Sequence, residues 1–231
     1  MPRRNLDRKK VPAPDERTAA RYLLELPGDR LYREPLAFPW VSSASLFGDE
    51  KPMELEIGCG SGEFLCSLAR RDRQTNFVGV EVKRKSIYEA VARASSAALE
   101  NVVFLRADFR LLYPLLAPGS LDAVYLHFPD PNVRPKFRKH RVFCARFLQK
   151  MHAATTPEGR ISVMTDHEGS FSEMPELAES DERWQKAHAE RYLVGFETES
   201  RSRFQRIWEE HGLPTLRFEL VKSGTGRRVQ T

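Results

Sequence analysis

From residue 53 onward the chain alternates between short runs of strand type and stretches of helical period. The strand-type runs are MELEI (53–57), NFVGVEV (76–82), NVVFLRA (101–107), LDAVYLHF (121–128) and RISVMT (160–165). Between them Phe64, Leu65 and Leu68, then Ile87, Val91, Ala94 and Ala98, then Phe143, Phe147 and Met151 fall at helical spacing. That alternation predicts an α/β architecture with a mostly parallel sheet and helices on both faces. Near the C-terminus Phe204, Ile207 and Trp208 make one more helical stripe that stops before Gly212, and Pro214 precedes a last strand-like run, LRFELV (216–221). Residues 1–16 hold three prolines among charges and lack a period, so they read as a disordered basic arm, which leaves 17–231 as one domain.

Composition adds few constraints. The 231 residues suffice for one core without staples, and 41% hydrophobic with 30% charged residues is an ordinary globular balance. No apolar run approaches the roughly 18 residues a membrane span needs, and MPRRNLDRKK lacks the apolar segment of a secretion signal, so a soluble, cytoplasmic protein without a membrane partner is expected. Cys59, Cys66 and Cys144 cannot all pair, and no Cys/His cluster has zinc spacing; reduced thiols and no metal are expected. The net charge of +5 matters less than its placement. Residues 134–146 carry Arg134, Lys136, Arg138, Lys139, Arg141 and Arg146 with no acid, whereas 166–182 carry seven acids with no Lys or Arg.

The first strand-type run leads into Gly58-Cys59-Gly60-Ser61-Gly62 and then a helical stripe. Glycines let the backbone turn tightly against a ligand at a helix N-terminus, and Glu81 ends the second strand about 20 residues on, where an acid accepts from a ribose diol. A dinucleotide fingerprint needs glycine at position 63, which is Glu, and Glu56 two residues before the first glycine would repel a pyrophosphate but not a sulfonium or ammonium. The turn therefore favours S-adenosylmethionine over a nicotinamide dinucleotide. Asp108, at the end of the third strand, is placed to receive the adenine amino group.

The fourth strand ends in Phe128-Pro129-Asp130-Pro131, where flanking prolines preorganise the Asp130 carboxylate. The cations that follow are interleaved with Phe137, a pattern suited to phosphate neutralisation and base stacking on RNA. A solvated helix face is the plainer reading of such a run. His127, His140 and His167 have no partners at ligand spacing and read as structural or solvent-facing.

Together LEIGCGSGEFL (55–65), GVEVK (79–83), FPDP (128–131) with its basic run, TD at 165–166 and TESRSRF (198–204) resemble the bacterial tRNA (guanine-N7)-methyltransferases over about residues 53 to 221. The resemblance implies a Rossmann-like, class I S-adenosylmethionine-dependent methyltransferase fold with a seven-stranded sheet, and methyl transfer to N7 of a guanosine in the variable loop of tRNA. It puts Glu56, Gly58, Gly60, Glu81, Asp108 and Asp130 around S-adenosylmethionine, with Asp130 as the candidate catalytic residue, and Arg134, Asp166 and Thr198 on the substrate side. Two positions depart from the family pattern: Asn132 stands where Trp is usual, and Arg201 stands where the TxxE signature has its acid, so Arg201 joins the candidate substrate residues and bears on base choice. N7 already carries an in-plane lone pair, so positioning rather than a strong base would supply most of the rate. Two alternatives stay open, a methyltransferase of the same fold acting on another RNA base or a small molecule, and a non-catalytic RNA-binding protein on the same scaffold. Monomer and homodimer both fit the sequence.

Overall fold

The computed structural model describes residues 11–129, 141–165, 173–194, 205, 210–212 and 214–224. The first ten residues of the expected basic arm thus lie outside the described residues. Asp15 caps the first helix, α1 (Glu16–Tyr22), by accepting from the Thr18 amide, and the chain continues at once into a three-residue strand, β1 (Leu23–Glu25). Two short helices follow, α2 (Gly28–Arg33) and α3 (Ser43–Phe47), before the alternating region begins.

That region runs β2 (Met53–Ile57), α4 (Glu63–Arg71), β3 (Asn76–Glu81), α5 (Arg84–Ser96), β4 (Val102–Arg106), β5 (Leu121–His127), α6 (Ala145–Ala154) and β6 (Thr155–Thr165). After it come α7 (Glu173–Glu179), β7 (Trp184–Lys186), β8 (Leu193–Val194) and β9 (Leu216–Lys222). The strand order is β1-β4-β3-β2-β5-β6-β9-β7, with β8 also on β9. Strands β1 to β6 pair in parallel, and β9 runs antiparallel to β6, β7 and β8. All six runs singled out in the sequence are strands. β7 supplies a seventh, and the short β1 and β8 extend the sheet to nine among the described residues.

Strand alternation sends one set of side chains to each face. Leu55, Val78, Val80, Leu105, Val124, Leu126, Ile161 and Val163 pack against Phe147, Leu148 and Met151 of α6. On the opposite face Phe77 and Phe104 pack against Leu65, Cys66 and Ala69 of α4 and Ile87, Ala90, Val91 and Ala94 of α5. Each helix buries only the stripe that its 3.6-residue period aligns, so the sheet is covered from both sides as expected.

β6 begins five residues before the run RISVMT, and the added stretch holds Pro157 and Gly159, residue types that ordinarily interrupt a ladder. The register shows how they are accommodated: Leu121 pairs with Thr155 but Ala123 pairs with Arg160, so the chain between Thr155 and Arg160 bulges out of the ladder. Phe143 lies just before α6 rather than in it, though it is buried against Phe147 and Phe218. Most of the helical stripe expected around Phe204 to Trp208 falls outside the described residues, as do Asp130, Arg134, Asp166, Thr198 and Arg201.

Candidate active site at the carboxyl ends of the strands

β2, β3, β4 and β5 all end on one edge, and there a crevice of about 560 Å³ opens, a size typical of small-molecule and cofactor sites. Its walls are Ile57, Gly58 and Gly60 after β2, Glu81 and Lys83 after β3, Asp108 and Arg110 after β4, and His127, Phe128 and Pro129 after β5. Four of the residues chosen from sequence, Gly58, Gly60, Glu81 and Asp108, therefore line one cavity. Glu56, the residue before Ile57 on β2, is not among the wall residues and is only 4% exposed.

The glycine turn is shaped by its own hydrogen bonds. Gly58 and Gly60 adopt left-handed φ values of 78° and 54°, and nothing lies within 4 Å of where a Cβ would project from either. The backbone there faces open space. The amides of Gly58 and Cys59 both donate to the Val80 carbonyl, and that of Gly62 donates to the Cys59 carbonyl. Three of the donors that a pyrophosphate would need are thus already committed, and α4 opens with an acid, Glu63, paired to Arg93 at 3.1 Å. These features agree with the sequence argument against a dinucleotide.

Neighbouring carboxylates have contrasting environments. Glu81 Oε1 accepts from the amides of Val82 and Lys83, both at 2.8 Å, which fixes the carboxylate at the end of β3. Asp108 caps the turn after β4 by accepting from the Arg110 amide and is clamped by the Arg110 guanidinium, with Nε to Oδ1 at 3.0 Å and Nη2 to Oδ2 at 2.5 Å. The candidate adenine acceptor is therefore part of an ion pair, which the sequence did not reveal. Glu56 has neither kind of support: its Oε2 is buried with no hydrogen-bond partner. Burial, reinforced by the Glu81 charge, pushes the Glu56 carboxyl up to about 8.

His127 ends β5 with its ring packed edge-on against Phe64 and Tyr125, and its Nε2 lies 3.4 Å from Ser162 Oγ. Burial, with Arg217 nearby, lowers its pKa to about 3, so the imidazole is neutral. The structural reading of this histidine agrees with that setting, but its place in the crevice wall was not foreseen. Phe128, next along, has a φ of 50°, an uncommon conformation for a bulky residue and one that turns the chain sharply into Pro129. Lys83, Arg110, Phe128 and Val142 are lining residues that sequence reasoning passed over, although three of them lie within two residues of a chosen acid.

Charge segregation along the chain is partly neutralised in three dimensions. Arg141, from the basic run, is ion-paired with Glu173 of α7, in the acidic stretch, and Arg146 lies 5.3 Å from the Tyr113 ring centroid. The cysteines are all free thiols, and no group of His, Cys, Asp or Glu among the described residues could hold a metal. No described helix is long and apolar enough to cross a membrane.

Residues 50–216 match a family model described as "Putative methyltransferase". A tRNA (guanine-N(7)-)-methyltransferase of Rubrobacter xylanophilus is 53% identical over 222 residues, covering 96% of this chain and all of that protein. One from Chloroherpeton thalassium is 40% identical, covering 95% of this chain and 97% of its own length. Among solved structures, TrmN from Thermus thermophilus superposes with a TM-score of 0.54 at 18% identity over 84% of this chain and 48% of its own. A 30S ribosomal A1408 methyltransferase from an uncultured bacterium does so with a TM-score of 0.51 at 12% identity, over 86% and 95%. At those identities the likeness is one of fold, the class I methyltransferase α/β sheet.

Proposed function

The chain belongs to the tRNA (guanine-N(7)-)-methyltransferase family, and from that premise we propose that it transfers a methyl group from S-adenosylmethionine to N7 of a guanosine in the variable loop of tRNA. The observation that carries this reading is the 53% identity to a full-length relative of that name across 96% of the chain. The acid-edged crevice on the same chain fits the cofactor: it offers a fixed carboxylate for a ribose diol and an acid after β4 for the adenine amine, and a buried carboxyl whose Oε2 has no partner precedes its glycine turn on β2, which suits a cationic ligand.

When bound, S-adenosylmethionine supplies a methyl group on a sulfonium, which the in-plane lone pair of N7 accepts without a base. The chain's own task is orientation. Glu81 would hold the ribose, its carboxylate being fixed by the two backbone amides that donate to Oε1. Asp108 would receive the adenine amine, with Arg110 keeping its carboxylate in place. Gly58 and Gly60 leave room for close backbone approach, and Glu56 contributes negative potential. Asp130, next in sequence after Phe128 and Pro129, orients cofactor or guanine. Arg134, Asp166, Thr198 and Arg201 act on the tRNA side, and the basic run neutralises phosphates. Neutral His127 adds no positive charge beside a purine that becomes cationic on methylation.

The test is to incubate the protein with labelled S-adenosylmethionine and an unmodified tRNA transcript and map the labelled nucleotide. Label at N7 of a variable-loop guanosine is the expected result. Label on another base or on a small acceptor alone would replace this reading with that of a different methyltransferase, and saturable tRNA binding with no transfer would leave an RNA-binding protein.

A further inference from the structure

Glu56 stands apart from the acids around it. Glu54, two residues earlier on β2, accepts from the Tyr125 hydroxyl at 2.8 Å and lies 3.6 Å from Arg160. Glu81 accepts two backbone amides, and Asp108 is clamped by Arg110. Glu56 is 4% exposed, and its Oε2 has no partner. A carboxylate taken out of water without a counter-ion or donor is strongly disfavoured relative to the neutral acid.

The elements packed around it do not compensate. β3 contributes the like charge of Glu81. The glycine turn contributes the Cys59 thiol and α4 the Cys66 thiol, both pushed up by burial and so uncharged. Glu63 at the start of α4 is paired with Arg93. On β5, the register partner Tyr125 directs its hydroxyl to Glu54 and is also pushed up by burial.

Resting on the cofactor reading above, we infer that Glu56 is a proton-linked selector for a cationic ligand: it is a neutral acid in the free protein and gives up its proton when the positively charged methionine end of S-adenosylmethionine enters the crevice. The ligand's charge then plays the part of the counter-ion that the fold omits. Glu56 is not itself a wall residue; it lies two residues before the wall glycine Gly58 and within Coulombic reach of the wall acid Glu81, so it acts on the ligand through low-dielectric protein rather than by direct contact. Binding that releases a proton strengthens as pH rises, until the group is already ionised in the free protein. With the carboxyl at about 8 in the free protein, that window covers the neutral range.

The experiment is calorimetric titration of the full chain with S-adenosylmethionine in buffers of different ionisation enthalpy at about pH 6.5, below the titration of the ligand's own amine. About one proton released per bound ligand is expected for the wild type and none for Glu56→Gln. The wild-type association constant should rise close to tenfold per pH unit between about pH 5.5 and 7, and that of Glu56→Gln should stay level. Because glutamine resembles the neutral acid, the variant should fold. The infrared difference between the two free proteins, in which the variant need not bind anything, should show a protonated carboxyl band that disappears when the wild type is saturated. Saturable binding with no buffer-dependent heat, equal proton release by both proteins, or absence of the carboxyl band would each overturn the inference while leaving the cofactor reading intact. No saturable binding at any pH would overturn both.

Discussion

A single carboxylate in this crevice owes its chemistry to what its immediate neighbours donate. Glu81 and Glu56 lie on adjacent parallel strands, yet one is anchored by two amides and the other is stranded without a donor for Oε2. Anchoring makes Glu81 the better hydrogen-bond acceptor for a diol, since its carboxylate need not be ordered on binding. Replacing Glu81 with Ala leaves two ribose hydroxyls unpaired, a loss of about 1.5 to 3 kcal/mol for bonds to a charged acceptor. At least a tenfold weaker dissociation constant for S-adenosylmethionine is expected by calorimetric titration. A folded variant with wild-type affinity would remove Glu81 from the site.

The glycine turn shows how one element fixes the next. Gly62 begins α4 with a φ of 69°, and a Cβ there would lie 2.8 Å from the Ala90 Cβ of α5 and 3.2 Å from the Phe104 ring. Left-handed backbone and close helix approach both exclude a side chain, so Gly62→Ala should destabilise the fold by about 1 to 3 kcal/mol, read as a lower melting temperature. An unchanged melt would mean that α4 and α5 can separate without cost. At this scale the sequence was informative where an element carries a long apolar run, as β2 to β5 and β9 do. It was silent on β1, β7 and β8, whose two or three residues give no period to read, and it misjudged the start of β6 because Pro157 and Gly159 are tolerated in a bulge. The acids at the strand ends were legible for the same topological reason that puts ligands there. The Arg110 clamp on Asp108 and the isolation of Glu56 were not, because each depends on which donors tertiary packing brings near, and no spacing along the chain encodes that.

Across the whole molecule, the excess of five positive charges is less instructive than how individual cations are used. Arg141 is only 13% exposed in its side chain and pairs with Glu173, so it ties the chain before α6 to α7 rather than standing free for a polyanion. Replacing it with Ser should lower the melting temperature and leave the salt dependence of tRNA binding nearly as in the wild type. Arg134, Lys136, Arg138 and Lys139 precede it in the same run and follow the crevice-lining Phe128 and Pro129 in sequence. If these four contact tRNA phosphates, each lost contact lowers the slope of log affinity against log salt by roughly 0.7 to 0.9, because fewer condensed counterions are released. The expected result for a variant with all four changed to Ser is a shallower slope and weaker binding to every tRNA alike, with S-adenosylmethionine affinity unchanged, since none of the four is a proposed cofactor ligand and Glu81 and Asp108 sit on other strand ends. A wild-type slope in that variant would make the run a solvated face and move the tRNA contact to another surface. A loss of cofactor affinity alongside the slope would mean that the loop shapes the crevice as well as the RNA site.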